Sequence, residues 1–278
     1  MWNAVVVELY KTFAKPRTYI GLLAVIGIIL LIHIGYYNTK DDWESSLRYS
    51  LGEHVSIENL TLNGNTVFYM IMHTLFMQLN IIIALVSGDS VSGEMASGTI
   101  RALMTKPIAR WKIFFAKFIS NQVYVFTIVL CILIFGLYLS RCFFGVGDII
   151  VNGDETSVIS QGDITWRFLI SLGLLYIYLT IISSLAFMFS CIMENSVVPI
   201  VTTIVVIIVL TILETLPIDF FEPMKEYLFT KYLDIWRISF DVAPNISSLK
   251  KPFIILGSYF LIFSTISYIT FTRKDITQ

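Results

Sequence analysis

The sequence predicts an all-α membrane protein: six transmembrane helices, an amphipathic helix ahead of the first, and a short helix in the loop between the second and third. Of its 278 residues, 56% are hydrophobic and only 14% are charged, against the roughly one quarter charged in a soluble globular domain. Six stretches of 19 to 26 residues contain no Asp, Glu, Lys or Arg, and each is long enough to cross a hydrocarbon layer about 30 Å thick. Lys and Arg gather in alternate connections between these stretches, as they do when such connections face the cytoplasm.

Taken in order, residues 1–17 place Trp2, Val5, Leu9 and Phe13 along one helical face, with Asn3, Lys11 and Lys15 elsewhere. This is the pattern of a helix lying in the membrane interface, anchoring the chain and placed to act as an elbow that moves the first span. The segment has no apolar run ending in a small-residue cleavage site, so the first span is expected to remain in the mature protein. The spans follow at Thr18–Tyr36, Thr66–Ser87, Phe118–Ser140, Phe168–Met193, Asn195–Leu213 and Pro252–Thr272, within a single domain of residues 1–278. Only Glu194 divides the fourth from the fifth, so a tight turn is expected there, and Pro199 sits where a helix can begin. Residues 214–251 carry a second stripe, Tyr227, Leu228, Tyr232, Ile235 and Trp236, expected to rest on the outer interface or cap an outer vestibule.

With the N-terminus inside, the cytoplasmic segments hold Lys11, Lys15, Arg17, Arg101, Lys106, Arg110, Lys112, Lys117, Arg273 and Lys274, ten of the 19 basic residues. The longer outer loops share the other nine, and residues 37–65 add Asp41, Asp42, Glu44, Glu53 and Glu58. Both termini are therefore expected in the cytoplasm of a multi-pass protein of the plasma membrane. Asn59 and Asn245 open triplets that accept glycans only in a host with that pathway. A net charge of −1 gives no reason to expect nucleic acid as a partner. Cys131, Cys142 and Cys191 are too scattered for a disulfide framework or a metal cage.

The informative connection is residues 88–117. Val91, Met95, Ile100, Leu103 and Met104 recur at roughly helical spacing while Asp89, Glu94, Ser97 and Arg101 supply polar faces, so a helix is expected over 87–105, lying along the membrane and stopped by Pro107. Gly93 and Gly98 are expected to allow close approach of another backbone. Gly88 and Gly93 are spaced like the glycines of a phosphate loop, but Glu94 and Met95 stand where Lys and Ser or Thr would hold phosphate and magnesium. Any ATP must be handled by another chain.

Ser92-Gly93-Glu94, Ser97-Gly98-Thr99, Pro107, Arg110, Lys112 and Lys117, placed between spans two and three of a six-span chain, give it a resemblance to the permeases of ABC-2 exporters, most closely the half-size kind that serve bacitracin export and copper-enzyme maturation. The resemblance implies that this loop is a coupling helix docking on an ABC ATPase subunit. Glu94, Ser97, Gly98, Thr99 and Arg101 would contact or orient that partner, and Pro107 and Arg110 would fix the join to the third span. It also implies two copies of the ATPase carrying ATP and Mg, and a second permease, identical or related, since this chain holds one six-span half and no ATP-binding motif.

Polar residues within the spans are His33 near one end of the first, His73, Gln78 and Asn80 in the second, and Asn121 and Gln122 in the third. His73 and Asn80, seven apart, share a face. The last five are candidates for a pathway, with interhelical hydrogen bonding as the plainer role. No span holds an acid, and Ser171, Ser183 and Ser184 have no His in their own span. An intramembrane enzyme is thus disfavoured, with no catalytic and no metal residue expected, and a sensory or force-transmitting protein without transport stands as the other alternative to export.

Overall fold

The computed structural model describes residues 1–40, 62–100, 108–152, 156–217, 222–240 and 249–274. Helix α1 (Trp2–Ala14) is parted from α2 (Pro16–Asn38) by Lys15 alone, which is extended at φ −74° and ψ 133°. Pro16 dictates the break, because its ring disfavours a helical conformation in the residue before it and itself needs no amide partner in a first turn. α3 (Gly64–Asp89) begins on the Asn63 side chain, which accepts from the amides of Asn65 at 3.0 Å and Thr66 at 3.1 Å and so serves two of the donors a helix start leaves free. A short α4 (Ser92–Ala96) follows.

The third span runs unbroken from Arg110 to Phe144, as α5 (Arg110–Cys131), a π-helical stretch (Ile132–Tyr138) and α6 (Leu139–Phe144). The widened stretch carries Gly136 over the ring of Phe68, where a Cβ would come within 2.7 Å of the ring edge. A two-stranded antiparallel pair comes next, β1 (Ile149–Asn152) and β2 (Thr156–Ile159), with Ile149 opposite Ile159. The chain then forms α7 (Gln161–Ile192), α8 (Val198–Thr215), the short α9 (Glu222–Lys225), a 3-10 helix (Phe229–Phe240) and α10 (Lys250–Arg273).

Six helices, α2, α3, the third span, α7, α8 and α10, are long and apolar enough to cross a membrane, and mark the chain as a multi-pass membrane protein. α3 and α7 form its centre, 61% and 67% buried along their most apolar stretches, against 22–28% for α2, α8 and α10. Phe68 meets Phe168 edge to face at 4.7 Å, and Phe168 meets Phe240 at 5.3 Å, carrying the core from α3 through α7 to the 3-10 helix. α1 and Lys274 lie at one end of the bundle, where Arg110 Nη1 donates to the carbonyls of Thr272 and Lys274 and the Lys274 ammonium donates to the carbonyl of Ile192. At the other end Asn63 and Asn65 donate to the carbonyls of Asp148 and Gly147.

Several expectations change. The second and third spans begin at Gly64 and Arg110 rather than Thr66 and Phe118, because a side-chain cap and the Arg110 bonds carry each helix past its charge-free core. The helix expected over 87–105 is not one helix: α3 runs on to Asp89, α4 occupies Ser92–Ala96, and Ser97-Gly98 turn before residues 99 and 100 are helical again. Gly98 serves that turn by its left-handed φ of 71°, and a Cβ there would meet no atom of the described residues within 4 Å, whereas Gly93 sits against the Asp89 carboxylate. The stripe over 227–236 buries Ile235 and Trp236 in the bundle, so it caps one end rather than resting on the interface. The β pair stands outside the all-α expectation. Arg101, Leu103, Met104, Lys106 and Pro107, the acidic residues of 41–58, and both glycan acceptors lie outside the described residues.

Glycines at Gly64 and Gly27 separate packing from propensity. A Cβ on Gly64 would come within 2.7 Å of the Arg141 Cα and closer still to the Ser140 carbonyl, while a Cβ on Gly27 would meet no atom of another element among the described residues within 4 Å. Gly64→Ala should lower the melting temperature in detergent by several degrees, in line with an overpacking cost of about 1–3 kcal/mol; Gly27→Ala should leave it unchanged or slightly raised.

Candidate functional site

At the end of the bundle that holds α1, seven charged groups meet, six from the helices α1 to α5 and Lys15 from the joint between α1 and α2. The Lys117 ammonium on α5, 1% exposed, lies 2.9 Å from Glu8 Oε2 on α1 and 2.8 Å from Glu94 Oε2 on α4. The Lys11 ammonium, one turn beyond Glu8, lies 2.8 Å from Glu8 Oε1 and 3.2 Å from Glu94 Oε1. Two carboxylates and two ammoniums thus alternate in a closed ring, each carboxylate giving one oxygen to each cation. Beside it Asp89, at the end of α3, takes Lys15 on Oδ2 at 3.0 Å and Arg17 on Oδ1. Lys117 also reaches the Ser90 carbonyl at 3.4 Å.

The surrounding sequence builds this arrangement. α1 turns Val5 and Glu8 toward α5, leaving Trp2, Val6 and Tyr10 outside, and the Thr12 and Ser120 hydroxyls meet at 2.8 Å. The face expected from Trp2, Val5, Leu9 and Phe13 is therefore divided: only Val5 of the four is fully buried, because the side against the bundle is chosen by the Glu8 carboxylate. α4 has no cap of its own; the amides of Val91 and Ser92 both donate to Ser190 Oγ of α7 at 3.0 Å. Ser92 Oγ returns to the Gly88 carbonyl at 2.7 Å, and Val91 joins Phe114, Phe187, Cys191 and Phe271 in a small apolar cluster below. The loop is thus fixed to α3, α5 and α7 together.

Burial alone would lower the affinity of Lys11 for its proton, but the hydrogen bond and charge of Glu8, followed by Glu94, raise it above the ordinary value of 10.5. Burial would likewise raise Glu94, yet Lys117 and then Lys11 outweigh it and hold the carboxyl below 4.5. A depressed carboxylate stabilises the fold above its unfolded value and loses that contribution as pH falls through its folded value; a raised ammonium contributes below its unfolded value and loses it as pH rises through its folded one. The contributions of these two groups therefore persist across the neutral range, fading in acid below 4.5 and in alkali above 10.5.

The residues expected to touch a partner divide into two kinds. Glu94 is 8% exposed and its carboxylate is engaged by Lys11 and Lys117 within the ring. Ser97, Gly98 and Thr99 form the exposed turn: Ser97 Oγ bonds the Gly93 carbonyl at 2.9 Å and meets the Thr99 hydroxyl at 3.0 Å, and Thr99 donates to the Glu94 carbonyl at 3.3 Å. Arg110 ties the third span to the end of α10, and Arg101 and Pro107 fall outside the described residues. Between α1 and the turn lies a cleft of about 780 Å³.

Of the residues proposed for a pathway, His73 is exposed on α3, while Asn80 is buried beneath α8 and lines an apolar cleft of about 320 Å³ with Phe76, Met77 and Ile207. Asn80 Oδ1, Gln78 Oε1 and both amide atoms of Asn121 and of Gln122 find no hydrogen-bond partner among the described residues. Among the described residues no hydrogen bond joins the α3 group to the α5 group. The His33 ring accepts from or donates to Ser140 at 2.9 Å across two spans and bonds the Ile29 carbonyl at 2.7 Å. With Ser140 fully buried and His33 nearly so, this pair locks α2 to the third span and is not open to a substrate.

Glu8 escaped the sequence reading because it interrupts an apolar stripe, and Lys117 was visible only as one more basic flank. The available signal was a carboxylate in an otherwise acid-free leading helix, together with a lysine at the mouth of a charge-free span.

The fold and the site define a six-span membrane protein whose leading helix is held by buried charge to the connection between its second and third spans. Residues 22–277 match the family described as "Protein of unknown function (DUF2705)", and the chain belongs to it. The match starts inside α2, so Asp89, Glu94 and Lys117 fall within it and Glu8 and Lys11 ahead of it. The chain is also similar to the "Uncharacterized protein YhcI" of Bacillus subtilis (strain 168), 22% identical over 319 aligned residues covering 100% of each chain.

Removing one partner of a buried ion pair strands the other, at a cost of about 3–5 kcal/mol, whereas replacing the whole set by apolar groups of like volume is often neutral. Lys117→Met should therefore lower the melting temperature sharply, and adding Glu8→Leu and Glu94→Leu should recover most of the loss. Equal melting of wild type and Lys117→Met would show that the ring carries no stability.

Proposed function

We propose that this chain is the permease subunit of an ATP-driven exporter resembling the ABC-2 kind, with two permease copies, identical or related, and two separate ATPase chains. The observation that supports it most is the ion ring, which ties α1 and α4 to the root of the third span while Ala96–Thr99 stay exposed. A coupling element needs this arrangement: a push on the exposed turn reaches α1 and α5 together, because the elements can separate only by leaving a charge buried and unpaired. α1 is then the elbow, Glu94 a positioning residue, Ala96, Ser97 and Thr99 the docking surface, and Arg110 the brace of the joint.

On this reading the end rich in Lys and Arg faces the cytoplasm of the plasma membrane, with both termini there. ATP and Mg belong to the partner, and the chain itself performs no chemistry. The two permeases would meet along α3 and α8, where His73 is exposed and the Asn80 side-chain Oδ1 has no hydrogen-bond partner among the described residues; polar groups at hydrocarbon depth are costly against lipid and favour a protein or aqueous neighbour. A sensory or force-transmitting protein could use the same ring without moving cargo.

The test is to purify the tagged full-length chain from its native membrane in mild detergent and count co-eluting chains by mass spectrometry. One ATPase chain per permease is expected, lost in Ala96→Arg with the melting temperature unchanged. Recovery of a lone chain, or full retention of the ATPase by Ala96→Arg, would overturn the proposal.

A further inference from the structure

The cleft between α1 and the exposed turn is lined by three cations that the ring and Asp89 only partly consume. Lys11, Lys15 and Arg17 remain 36%, 35% and 41% exposed at their side chains, and with Asp89 and Glu94 they leave the lining one positive charge in excess. Lys15 gives one of its three ammonium hydrogens to Asp89, and Arg17 gives Nη1 to the same carboxylate, so each has further donors to offer. The first turn of the 23-residue α2 forms part of this lining, and its cap residue, Lys15, makes no side-chain bond to it. The positive end of a helix dipole thus adds to the two cations.

The surroundings state what kind of anion fits. Directly beyond Arg17, α2 turns Tyr19, Ile20 and Leu23 outward at 51%, 60% and 65% exposure, and α1 does the same with Trp2, Val6 and Tyr10. A free phosphate would use only the cationic half of this arrangement. A phospholipid would use both: its phosphate at Lys15, Arg17 and the start of α2, and its acyl chains along the apolar track of the first span. A headgroup with net negative charge matches the excess cation, whereas a zwitterionic one brings a positive group back toward Lys11.

We infer that the Lys15–Arg17 corner is a binding site for one anionic phospholipid of the leaflet around this end of the bundle. The bound lipid fixes the angle between α1 and α2, since Lys15 is the single extended residue joining them. The inference does not depend on export or on any partner chain.

Native mass spectrometry of the full-length protein, released from mild detergent with equal amounts of phosphatidylglycerol and phosphatidylcholine, reads the site directly. Wild type should retain one phosphatidylglycerol per chain in preference to phosphatidylcholine, and Lys15→Gln and Arg17→Gln should each reduce that retention about five-fold, the share of one cation near a membrane surface. Asp89→Asn, which frees both cations, should increase it, and this variant keeps the test decisive if the glutamine variants fold poorly. Equal retention of both lipids, no loss in the glutamine variants, or a decrease in Asp89→Asn would overturn the inference. Competition by glycerol phosphate at the same concentration as the lipid would overturn it too, because the ligand would then be a soluble phosphate.

Discussion

The arrangement of this end of the protein depends on one ammonium group. Lys117 is almost completely excluded from water and stands between two carboxylates, one from α1 and one from α4. An isolated charge in such a place is not sustainable, so Glu8 and Glu94 must be delivered to it, and with them come the helices that carry them. The path of the leading helix, the return of the loop after the second span and the depth of the third span's root are thereby fixed relative to one another. Lys11 closes the ring from the solvent side, and Asp89 extends the same logic to the first residues of the first span.

Above that end the structure is held by different means. Side-chain hydroxyls and small residues pin the spans together: Ser87 with Ser183 at 2.8 Å, Gly64 against the backbone of Ser140 and Arg141, and Gly88 against Ile200. These contacts suit a bilayer, where apolar area offers no preference between lipid and a neighbouring helix and close backbone approach and hydrogen bonds decide packing. The two regimes divide the protein into an apolar bundle and an ionic base, with the exposed Ser97–Thr99 turn carried on the base.

The spans were legible because charge-free length is a property of sequence alone; their ends were less so, because Asn63 and Arg110 extend the helices through contacts with distant residues. The exposed turn was legible in part, through Ser97, Gly98 and Thr99, although Gly98 acts by backbone conformation. The ring was not. Glu8, Glu94 and Lys117 lie more than twenty residues apart, and nothing in their spacing says that they meet; Glu94 read as part of the polar face of the loop helix, there to contact or orient a partner. Asn121 and Gln122 lie within the third span, and their side-chain amides have no hydrogen-bond partner among the described residues.

Through Lys117, α1, α4 and the root of the third span form one rigid unit. Spin labels on exposed Asn3 and Ala96, in a background with Cys131, Cys142 and Cys191 replaced, measure it by the electron–electron distance distribution across α1 and α4. A single narrow distance that broadens when Lys117→Met is introduced is the predicted result. A narrow distance unchanged by Lys117→Met, or a broad one in the parent protein, would contradict it.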